Sequence, residues 1–304
     1  MKSKFPFGLM RLRKGKSASD IERMFSNREM PIVQKKYDGH LVQIEKKSGK
    51  VKVASRRGKD LTSRLKPIVS KLSKQISDPG VYIGELIVKK GGKHQLYDVQ
   101  SIVSSKPARA NEFVKSHDVR IALFDKIFDG ASSMAAAPYR DRMSELRTSV
   151  KSGGPAFVVK NYDWDNLDKA MKSSLKEGGE GVVIKDPDGA YKITDPDSTE
   201  RKGSQWKLKA PGVKDQSDDF LLIDYRKGKE KLIFDAAQYD DGELYIVGKL
   251  SGLDKQTEKS VAKKIDKGEN VVAEASFQER LPSGKYRHLA WVRLRPDKPE
   301  KSVT

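Results

Sequence analysis

The stretch PIVQKKYDGHLVQIEKKSGKVKVASR, residues 31–56, sets the architecture of the first part of this chain. Its apolar residues alternate with polar ones, a period that is typical of half-buried strands. Turn-forming pairs interrupt the alternation at 38–39 (Asp-Gly) and 48–49 (Ser-Gly). The stretch therefore predicts three strands separated by two short turns. Lys36 stands at the end of the first strand, just before the first turn.

Outside this stretch, helices and further strands alternate as far as residue 209. Apolar residues at three-four spacing indicate helices with one buried face, and short apolar runs indicate buried strands. The predicted elements are helices over 17–25, 65–76 and 165–179 and strands over 81–88, 119–128 and 180–185.

The pattern changes after a loop signal at 210–212 (Ala-Pro-Gly). Five short strands and one helix, over 256–265, occupy the last third of the chain, which is typical of a small barrel of the oligonucleotide-binding type. We therefore predict an α+β chain of two domains, residues 1–212 and residues 213–304. The five strands are expected over 220–227, 231–239, 243–250, 271–278 and 288–295.

The charge composition favours a nucleic-acid partner. The 304 residues include 61 Lys and Arg against 42 Asp and Glu, a formal net charge of +19. Residues 213–304 hold 18 basic and 17 acidic side chains, so residues 1–212 carry a net charge of +18. Such a field attracts polyanions, most simply nucleic acid, although a basic surface can also serve solubility alone.

The composition also excludes several kinds of site and location. The chain has 0 Cys, which excludes disulfides, thiolate catalysis and cysteine-bound zinc, and its 4 His lack paired ligand spacing. Any metal ion is therefore expected on carboxylates. No apolar run is long enough to span a membrane, and the basic N-terminus lacks the apolar core of a signal peptide. We expect no membrane association and a cytoplasmic, nucleoid or nuclear location rather than secretion.

The first candidate for chemistry is KYDG, residues 36–39. A lysine at a strand end can lie in a cleft where burial and neighbouring cations lower its pKa, and its amine is then a nucleophile toward phosphorus or carbonyl carbon. Alone the pattern is weak, because a lysine beside an Asp-Gly turn is usually just solvated. Other motifs have to decide between these interpretations.

Further short motifs follow KYDG in order along the chain. They are Ser55-Arg56-Arg57-Gly58, Gly84-Glu85-Leu86, Leu123-Phe124-Asp125, EGVVIK at 180–185, Trp206-Lys207-Leu208-Lys209 and Arg295-Pro296-Asp297-Lys298. The set resembles the motifs of covalent nucleotidyltransferases, most closely ATP-dependent DNA ligases. Each motif is weak by itself, but their joint order from Lys36 to Lys298 is specific.

The resemblance implies roles for the residues around the lysine. Lys36 would be the nucleophile that attacks the α-phosphate of ATP, forming lysyl-AMP and releasing pyrophosphate. Asp38 would orient Lys36 or bind the ribose, and Gln34 would hydrogen-bond adenine. Arg56 would hold phosphate or sugar, a task that suits a planar guanidinium.

The resemblance assigns the other motifs to the metal, the base and the phosphates. Glu85 and Glu180, which we expect inside apolar strands, would bind the ribose and a divalent metal ion, Mg²⁺ or Mn²⁺. Phe124 would stack on adenine. The phosphates would be held by Lys207 and Lys209, on one face of a strand, by Arg201, and by Arg295, Asp297 and Lys298 on the barrel, which would close over ATP.

Each of these residues also has a purely structural interpretation. Phe124, in an apolar strand, would by itself be a core residue. Glu85 and Glu180 would be edge-strand carboxylates facing water. The cations of the last two motifs would be ordinary basic surface. The ordered set of motifs favours the functional interpretation.

Two positions depart from the usual ligase pattern. Leu41 stands where many relatives have an arginine, which removes an expected contact to the nucleotide sugar or the nicked end. Gln34 stands where a glutamate is common, and its amide keeps the ability to hydrogen-bond adenine.

We therefore predict a compact ATP-dependent DNA ligase, with an ATP-grasp-like nucleotidyltransferase domain of antiparallel sheets and helices followed by an OB-fold barrel. We expect a monomer that seals nicks in duplex DNA with ATP and Mg²⁺. The alternatives within the superfamily are an RNA ligase and an RNA-capping guanylyltransferase. An alternative from another class is a non-catalytic basic nucleic-acid-binding protein, which predicts loss of the lysine or the carboxylates, whereas all are present.

Overall fold

A computed structural model describes residues 5–13, 17–195, 198, 200–209, 216–281 and 283–304. The chain divides into two compact units, Met1–Ala210 and Pro211–Thr304. The domain boundary predicted between residues 212 and 213 lies outside the described residues. Among the helices that are described, none combines the length and the apolar character needed to cross a membrane.

The first unit mixes helices with antiparallel strands. Its helices are α1 (Ala18–Phe25), α2 (Lys66–Gln75), α3 (Leu96–Ser104), α4 (Pro107–Ser116), α5 (Tyr139–Ser149) and α6 (Leu167–Lys176), with 3₁₀ turns at Thr62–Leu65 and Trp164–Asn166. Its strands are β1 (Ile32–Lys36), β2 (His40–Lys47), β3 (Lys50–Ser55), β4 (Gly80–Lys90), β5 (Lys93–His94), β6 (Asp118–Asp129), β7 (Ser132–Ser133), β8 (Ala156–Val158), β9 (Gly181–Lys185) and β10 (Gln205–Lys209).

These strands form two separate sheets. The large sheet has the order β3-β2-β4-β6-β7, with β5 paired to β4 and β8 parallel to β6. The small sheet has the antiparallel order β1-β9-β10. The strands and helices predicted for this part of the chain are confirmed, although no local pattern indicated which strands share a sheet.

The two predicted turns after β1 and β2 behave differently. Ser48 and Gly49 both have positive φ, 46° and 76°, and close the β2-β3 hairpin with a twist that suits the strands. The turn at Asp38 and Gly39 closes no hairpin, because β1 and β2 belong to different sheets. Glycine is required there, since an added Cβ on Gly39 would lie 2.2 Å from the Leu86 carbonyl oxygen.

Apolar clusters cover both faces of the large sheet. Successive residues of β4 point to opposite faces, so Tyr82 packs with helices α2 to α5 while Ile83 packs on the other side. On that other side the N-terminal segment, residues 5–13, crosses the sheet, and the ring of Phe7 stacks on Phe128 with centroids 4.9 Å apart. A further cluster joins the small sheet to α1 and α6. The first unit therefore has cores of its own.

The second unit is a curled antiparallel sheet with a helix. Its strands have the order β13-β12-β11-β14-β17, and the edge strands β13 and β17 approach each other. This arrangement is OB-like and confirms the predicted fold class, an α+β domain followed by an antiparallel barrel-type unit. The elements are β11 (Gln216–Lys227), β12 (Leu232–Asp240), β13 (Glu243–Ser251), α7 (Lys255–Ile265), β14 (Val271–Phe277), β15 (Glu279–Arg280), β16 (Tyr286–Arg287), β17 (Ala290–Leu294) and the 3₁₀ turn Glu300–Ser302.

Candidate active site

A cavity of about 220 Å³ lies between the two sheets of the first unit. Strands β1, β9 and β10 form one wall, β2, β4 and β6 form another, and the N-terminal segment closes a third side. The fold thus brings together motifs that are far apart in the sequence. The predicted site residues on the cavity wall are Gln34, Lys36, Arg56, Glu85, Phe124, Arg201 and Lys207.

Lys36 is the last residue of β1, and its ammonium lies against a carboxylate. The Lys36 Nζ is 2.7 Å from Glu180 Oε2, with 20% and 11% of the two side chains exposed. The pairing register explains this contact, because Lys36 lies opposite Gly181, the first residue of β9. Glu180 immediately precedes β9, so the prediction that it lies inside that strand is wrong by one residue. The pairing of β1 with β9 therefore brings the KYDG lysine into contact with the EGVVIK glutamate.

The neighbouring lysine is engaged elsewhere. The Lys35 Nζ is 2.5 Å from Glu177 Oε1, and Lys89 approaches the same carboxylate at 4.0 Å. Glu177 follows α6, so the chain places one glutamate against each lysine of the strand end. The two adjacent lysines are therefore distinct in their surroundings, and Lys36 is the one beside the carboxylates of the cavity.

Carboxylates surround the lysine. Burial raises the pKa of Glu85 to about 8, and the negative charges of Asp38 and Glu180 act in the same direction, while the positive charges of Lys36 and Arg56 oppose them. The electrostatic coupling indicates that these acidic groups lie close together beside Lys36. Within the described ranges, no cluster of three or more His, Asp or Glu side chains is arranged to hold a metal ion by itself. Glu85 and Glu180 are therefore a candidate pair of carboxylate ligands, to which a substrate would have to add the other ligands of a metal ion.

One end of the cavity is apolar and suits a flat ring. The ring of Phe124 lines the wall, and the buried Gln34 donates its amide hydrogens to Tyr139 Oη and Asn161 Oδ1, both at 2.7 Å. Lys185 also lines this end, where its Nζ donates to the Phe124 carbonyl oxygen at 3.0 Å and lies 4.7 Å from the centroid of the Phe124 ring. Burial lowers the pKa of Lys185 to about 7.

The other end of the cavity is cationic. Arg56, Arg201 and Arg11 line it, and Arg201 Nη1 donates to the Leu12 carbonyl oxygen at 2.8 Å. Lys207 also lines the cavity, from a position opposite Val183 in the small sheet. Burial, followed by the charge of Arg11, lowers the pKa of the Arg56 guanidinium. A polyanion such as a triphosphate would balance these charges. Lys209 ends β10, and its side chain lies outside the part of the chain that the structure describes.

Two of these cavity residues, Lys185 and Arg11, carry no predicted role. Lys185 is the last residue of the EGVVIK motif, so the sequence could have indicated a place for it in the site. Arg11 belongs to the basic N-terminal segment, where no motif singled it out.

The last motif belongs to the second unit, where its side chains pair with one another. Arg295 Nη2 lies 2.8 Å from Asp297 Oδ2, and Arg295 Nη1 lies 3.2 Å from Asp219 Oδ1. Lys298 also pairs with Asp219. The hydrogen bond from Arg295 is the main cause that lowers the pKa of Asp297 to about 2. Asp219, at the start of β11, therefore organises this motif, and the sequence offered no signal for it.

The chain is similar in sequence to DNA ligases of known name. The DNA ligases of Thermococcus onnurineus and Archaeoglobus fulgidus are each 26% identical to this chain, over 88% and 92% of its length. The chain covers 52% and 54% of those proteins, so it spans about half the length of these curated relatives. A probable DNA ligase of Dictyoglomus turgidum is 27% identical over 60% of this chain and 32% of its own.

Solved structures share the fold over nearly the whole chain. A mycobacterial DNA ligase D complexed with ATP and MES is 20% identical, covers 99% of each chain and superposes with a TM-score of 0.52. A Lig E DNA ligase is 17% identical, covers 95% of this chain and 99% of its own, and has a TM-score of 0.60. The family model of the ATP dependent DNA ligase domain matches residues 13–209, which include every cavity motif. The chain built around Lys36 therefore belongs to the ATP-dependent DNA ligase family.

Proposed function

We propose that this protein seals nicks in duplex DNA through a covalent lysyl-AMP. The observation that carries the proposal is the position of Lys36, whose Nζ lies 2.7 Å from Glu180 between a cluster of carboxylates and a cluster of cations. A nucleophilic amine, a group that stabilises its charge and donors for phosphate oxygens are what adenylyl transfer requires. Nicked double-stranded DNA is the proposed partner, and a monomer the proposed state.

The proposed reaction has three displacements at phosphorus. Lys36 Nζ loses a proton and attacks the α-phosphorus of ATP, so that an N–P bond forms and the bond to the pyrophosphate oxygen breaks. The 5′-phosphate oxygen at the nick then attacks the same phosphorus, and the N–P bond breaks to release Lys36. The 3′-hydroxyl loses its proton and attacks the 5′-phosphorus, which forms the phosphodiester and releases AMP.

The cavity suits each part of ATP. Phe124 offers an apolar surface to the adenine ring, and Gln34 and Lys185 offer polar atoms at the ring edge. Arg56, Arg201 and, in the middle of β10, Lys207 would hold phosphate oxygens. Since negative charge develops on these oxygens in each displacement, fixed cations beside them would lower the barrier.

Two carboxylates fit a divalent cation. Mg²⁺ in phosphoryl-transfer sites is bound by one or two carboxylates together with substrate phosphates, and Glu85 and Glu180 provide such a pair beside Lys36. Mn²⁺ would fit the same oxygen ligands. When bound, the ion supplies positive charge to the phosphoryl oxygens. Burial is the main cause that raises the pKa of Glu85 to about 8, and a divalent cation bound beside it would favour its charged form.

The second unit would act on the pyrophosphate. We propose that Arg295, Asp297 and Lys298 close over ATP in the first step and that the barrel then takes part in clasping DNA. Arg295 and Lys298 both pair with the carboxylate of Asp219, a partner that the pyrophosphate oxygens would have to replace or share.

Labelled nucleotides test the proposal directly. The protein is incubated with α-labelled ATP or GTP, or with NAD⁺ labelled in its adenylate, and denaturing electrophoresis then shows which label stays attached. We expect label from ATP on the wild-type protein and none on Lys36→Ala. The labelled protein should then convert a nicked duplex to a sealed strand. Label from GTP would favour a capping guanylyltransferase, sealing of nicked RNA alone would favour an RNA ligase, and no label at all would contradict enzymatic function.

A further inference from the structure

The N-terminal segment carries a residue that the motifs do not contain. Arg11 lines the same cavity as Lys36, although 25 positions separate them in the sequence. We propose that Arg11 is a phosphate-binding residue of the reaction, one that the fold adds to the site from outside the predicted motifs. The inference rests on the proposed function, since its ligand is a phosphate group of the reactants.

The backbone on both sides of Arg11 is fixed. The Met10 amide donates to Tyr191 Oη at 3.2 Å, and the Leu12 carbonyl oxygen accepts from Arg201 Nη1 at 2.8 Å. Further along, the Arg13 amide donates to the Gln205 carbonyl oxygen at 2.9 Å. These contacts fix the backbone from which the Arg11 side chain reaches the cavity wall, so no backbone ordering is needed when a ligand binds.

The segment is also anchored further upstream. Gln43 forms reciprocal hydrogen bonds with the backbone of Phe7, both at 2.8 Å, and the Phe7 ring stacks on Phe128. The N-terminal segment therefore behaves as a wall of the site rather than as a free tail, and the position of Arg11 is a property of the fold.

The charges around Arg11 would be stabilised by an anion. Within the residues that the structure describes, the Arg11 side chain makes no hydrogen bond or ion pair with a carboxylate. It instead lies near other guanidinium groups, because after burial its charge is the largest cause of the lowered pKa of Arg56, and Arg201 contributes in the same direction. Like charges gathered at a cavity cost free energy until an anion enters.

A phosphate is the anion that matches this arrangement. Guanidinium groups bind phosphate oxygens with two parallel hydrogen bonds, and Arg11, Arg56 and Arg201 together present a set of such donors. Two reactants of the proposed reaction can supply the phosphate: the polyphosphate of ATP in the first step and the 5′-phosphate of the nick in the second. The chemistry of recognition is the same for both.

The test uses the full chain with three variants. Arg11→Gln removes the charge, Arg11→Lys keeps the charge without the planar fork, and Arg13→Gln is the matched control. Arg13 is exposed on the same segment, where its guanidinium lies 5.6 Å from the centroid of the Trp206 ring, and it does not line the cavity. Thermal unfolding confirms that each variant is folded.

Three rates are then compared: lysyl-AMP formation from ATP without DNA, transfer of AMP from purified lysyl-AMP protein to a 5′-phosphorylated nick, and sealing of a pre-adenylated nick. Loss of a charge-assisted phosphate contact should slow one step about 10- to 100-fold in Arg11→Gln and less in Arg11→Lys. Loss confined to the first rate identifies the ATP polyphosphate, whereas loss confined to the second identifies the 5′-phosphate. Rates within twofold of wild type in all assays, or an equal loss in Arg13→Gln, would overturn the proposal.

A binding measurement separates this inference from the proposed function. Inorganic pyrophosphate is titrated by calorimetry into Lys36→Ala and into Lys36→Ala with Arg11→Gln, neither of which needs to turn over. Weaker pyrophosphate binding in the double variant would support the anion site even if the wild-type protein formed no lysyl-AMP. Equal affinity, together with an unchanged rate of AMP transfer to the nick where that rate can be measured, would reject a phosphate-binding role for Arg11.

Discussion

Lys36 and Lys35 are adjacent lysines in different surroundings, and this difference yields a first prediction. We expect Lys36→Ala and Lys36→Arg each to lower lysyl-AMP formation at least about 1,000-fold, because neither side chain offers a neutral amine as nucleophile. Lys35→Ala is the matched control, since Lys35 pairs with Glu177 instead of Glu180. The measurement is covalent label retained after denaturation. If Lys35→Ala lost the label and Lys36→Ala kept it, the nucleophile would have been assigned to the wrong lysine.

Lys185 should make stability depend on pH. Burial lowers its pKa to about 7 in the folded protein, against an ordinary value of 10.5 in the unfolded chain. Between these two values the unfolded state binds more protons at this group than the folded state does, so the contribution of Lys185 to the free energy of unfolding should rise as the pH is raised from 7 to 9. Glu85, whose pKa burial raises to about 8, contributes with the opposite sign up to that pH. We expect a gain of about 1 to 2 kcal/mol, less than the full shift implies because the site relaxes. The difference between wild type and Lys185→Met in urea unfolding at both pH values measures it.

The Lys185→Met variant isolates this effect. The methionine has a similar length and no charge, so the gain that Lys185 contributes between pH 7 and pH 9 should disappear. Lys74→Met, at an exposed position of α2, is the control and should leave the pH dependence unchanged. The same pH dependence in wild type and Lys185→Met would mean that Lys185 stays charged in the folded protein.

Some site residues could be predicted from the sequence because each lies in a short motif whose chemistry is recognisable. Lys36, Glu85, Phe124 and Arg56 are of this kind, and all line the cavity. Arg11 could not be predicted, because its place in the site depends on the path of the N-terminal segment across the sheet. That path is set by contacts such as Phe7 with Phe128, which are 121 positions apart and leave no local pattern.

At the scale of elements, the small sheet explains how the lysine meets its carboxylate. The register of β1 against β9 brings Lys36 opposite Gly181, and Glu180 comes immediately before it. The sequence predicted both strands from their apolar patterns. It did not predict that they pair, since strand pairing over such a separation depends on tertiary packing rather than on local alternation. The Asp38-Gly39 turn illustrates the same limit, because its composition is that of a hairpin while its actual connection joins two sheets.

This geometry predicts a large difference between two glutamates. We expect Glu180→Gln to slow lysyl-AMP formation about 100- to 1,000-fold, because it removes a charge at the reacting centre. Glu177→Gln, which affects the pair with Lys35, should change the rate less than about tenfold because its carboxylate faces a different lysine. Single-turnover labelling with saturating ATP measures both.

Binding to nicked DNA is the control for Glu180→Gln. Its proposed role is beside the reacting phosphate, so affinity in a gel-shift assay should stay close to wild type. A collapse of affinity with normal single-turnover sealing on saturating DNA would show that Glu180 is a DNA contact. The same comparison applies to Lys209→Ala, whose proposed role is also at the phosphates.

At the scale of the whole molecule, the first unit holds nearly all of the net positive charge, and the ligase motifs are distributed over both units. Residues 1–212 carry a net charge of +18 and the cavity residues, whereas residues 213–304 carry the motif around Arg295. In the second unit that motif is paired with Asp219 and Asp297. The sequence predicted this division from composition and turn signals, but it did not indicate the role of Asp219, whose contacts depend on the pairing of β14 with both β11 and β17.

The division predicts what a truncation after Gly212 would do. The first unit has apolar cores of its own, so residues 1–212 should fold and keep the cavity. Lysyl-AMP formation should fall about 100-fold or more, because Arg295 and Lys298 are missing from the proposed closure over ATP. Binding to duplex DNA should persist, with affinity that falls steeply as salt is added, because this part of the chain holds nearly all of the net positive charge.

The full-length variant Arg295→Ala distinguishes loss of the motif from loss of the whole barrel. If the motif is responsible, this variant should lose adenylation to a similar degree while still sealing a pre-adenylated nick. Equal adenylation rates in the truncated and full-length proteins would show that the second unit takes no part in the first step.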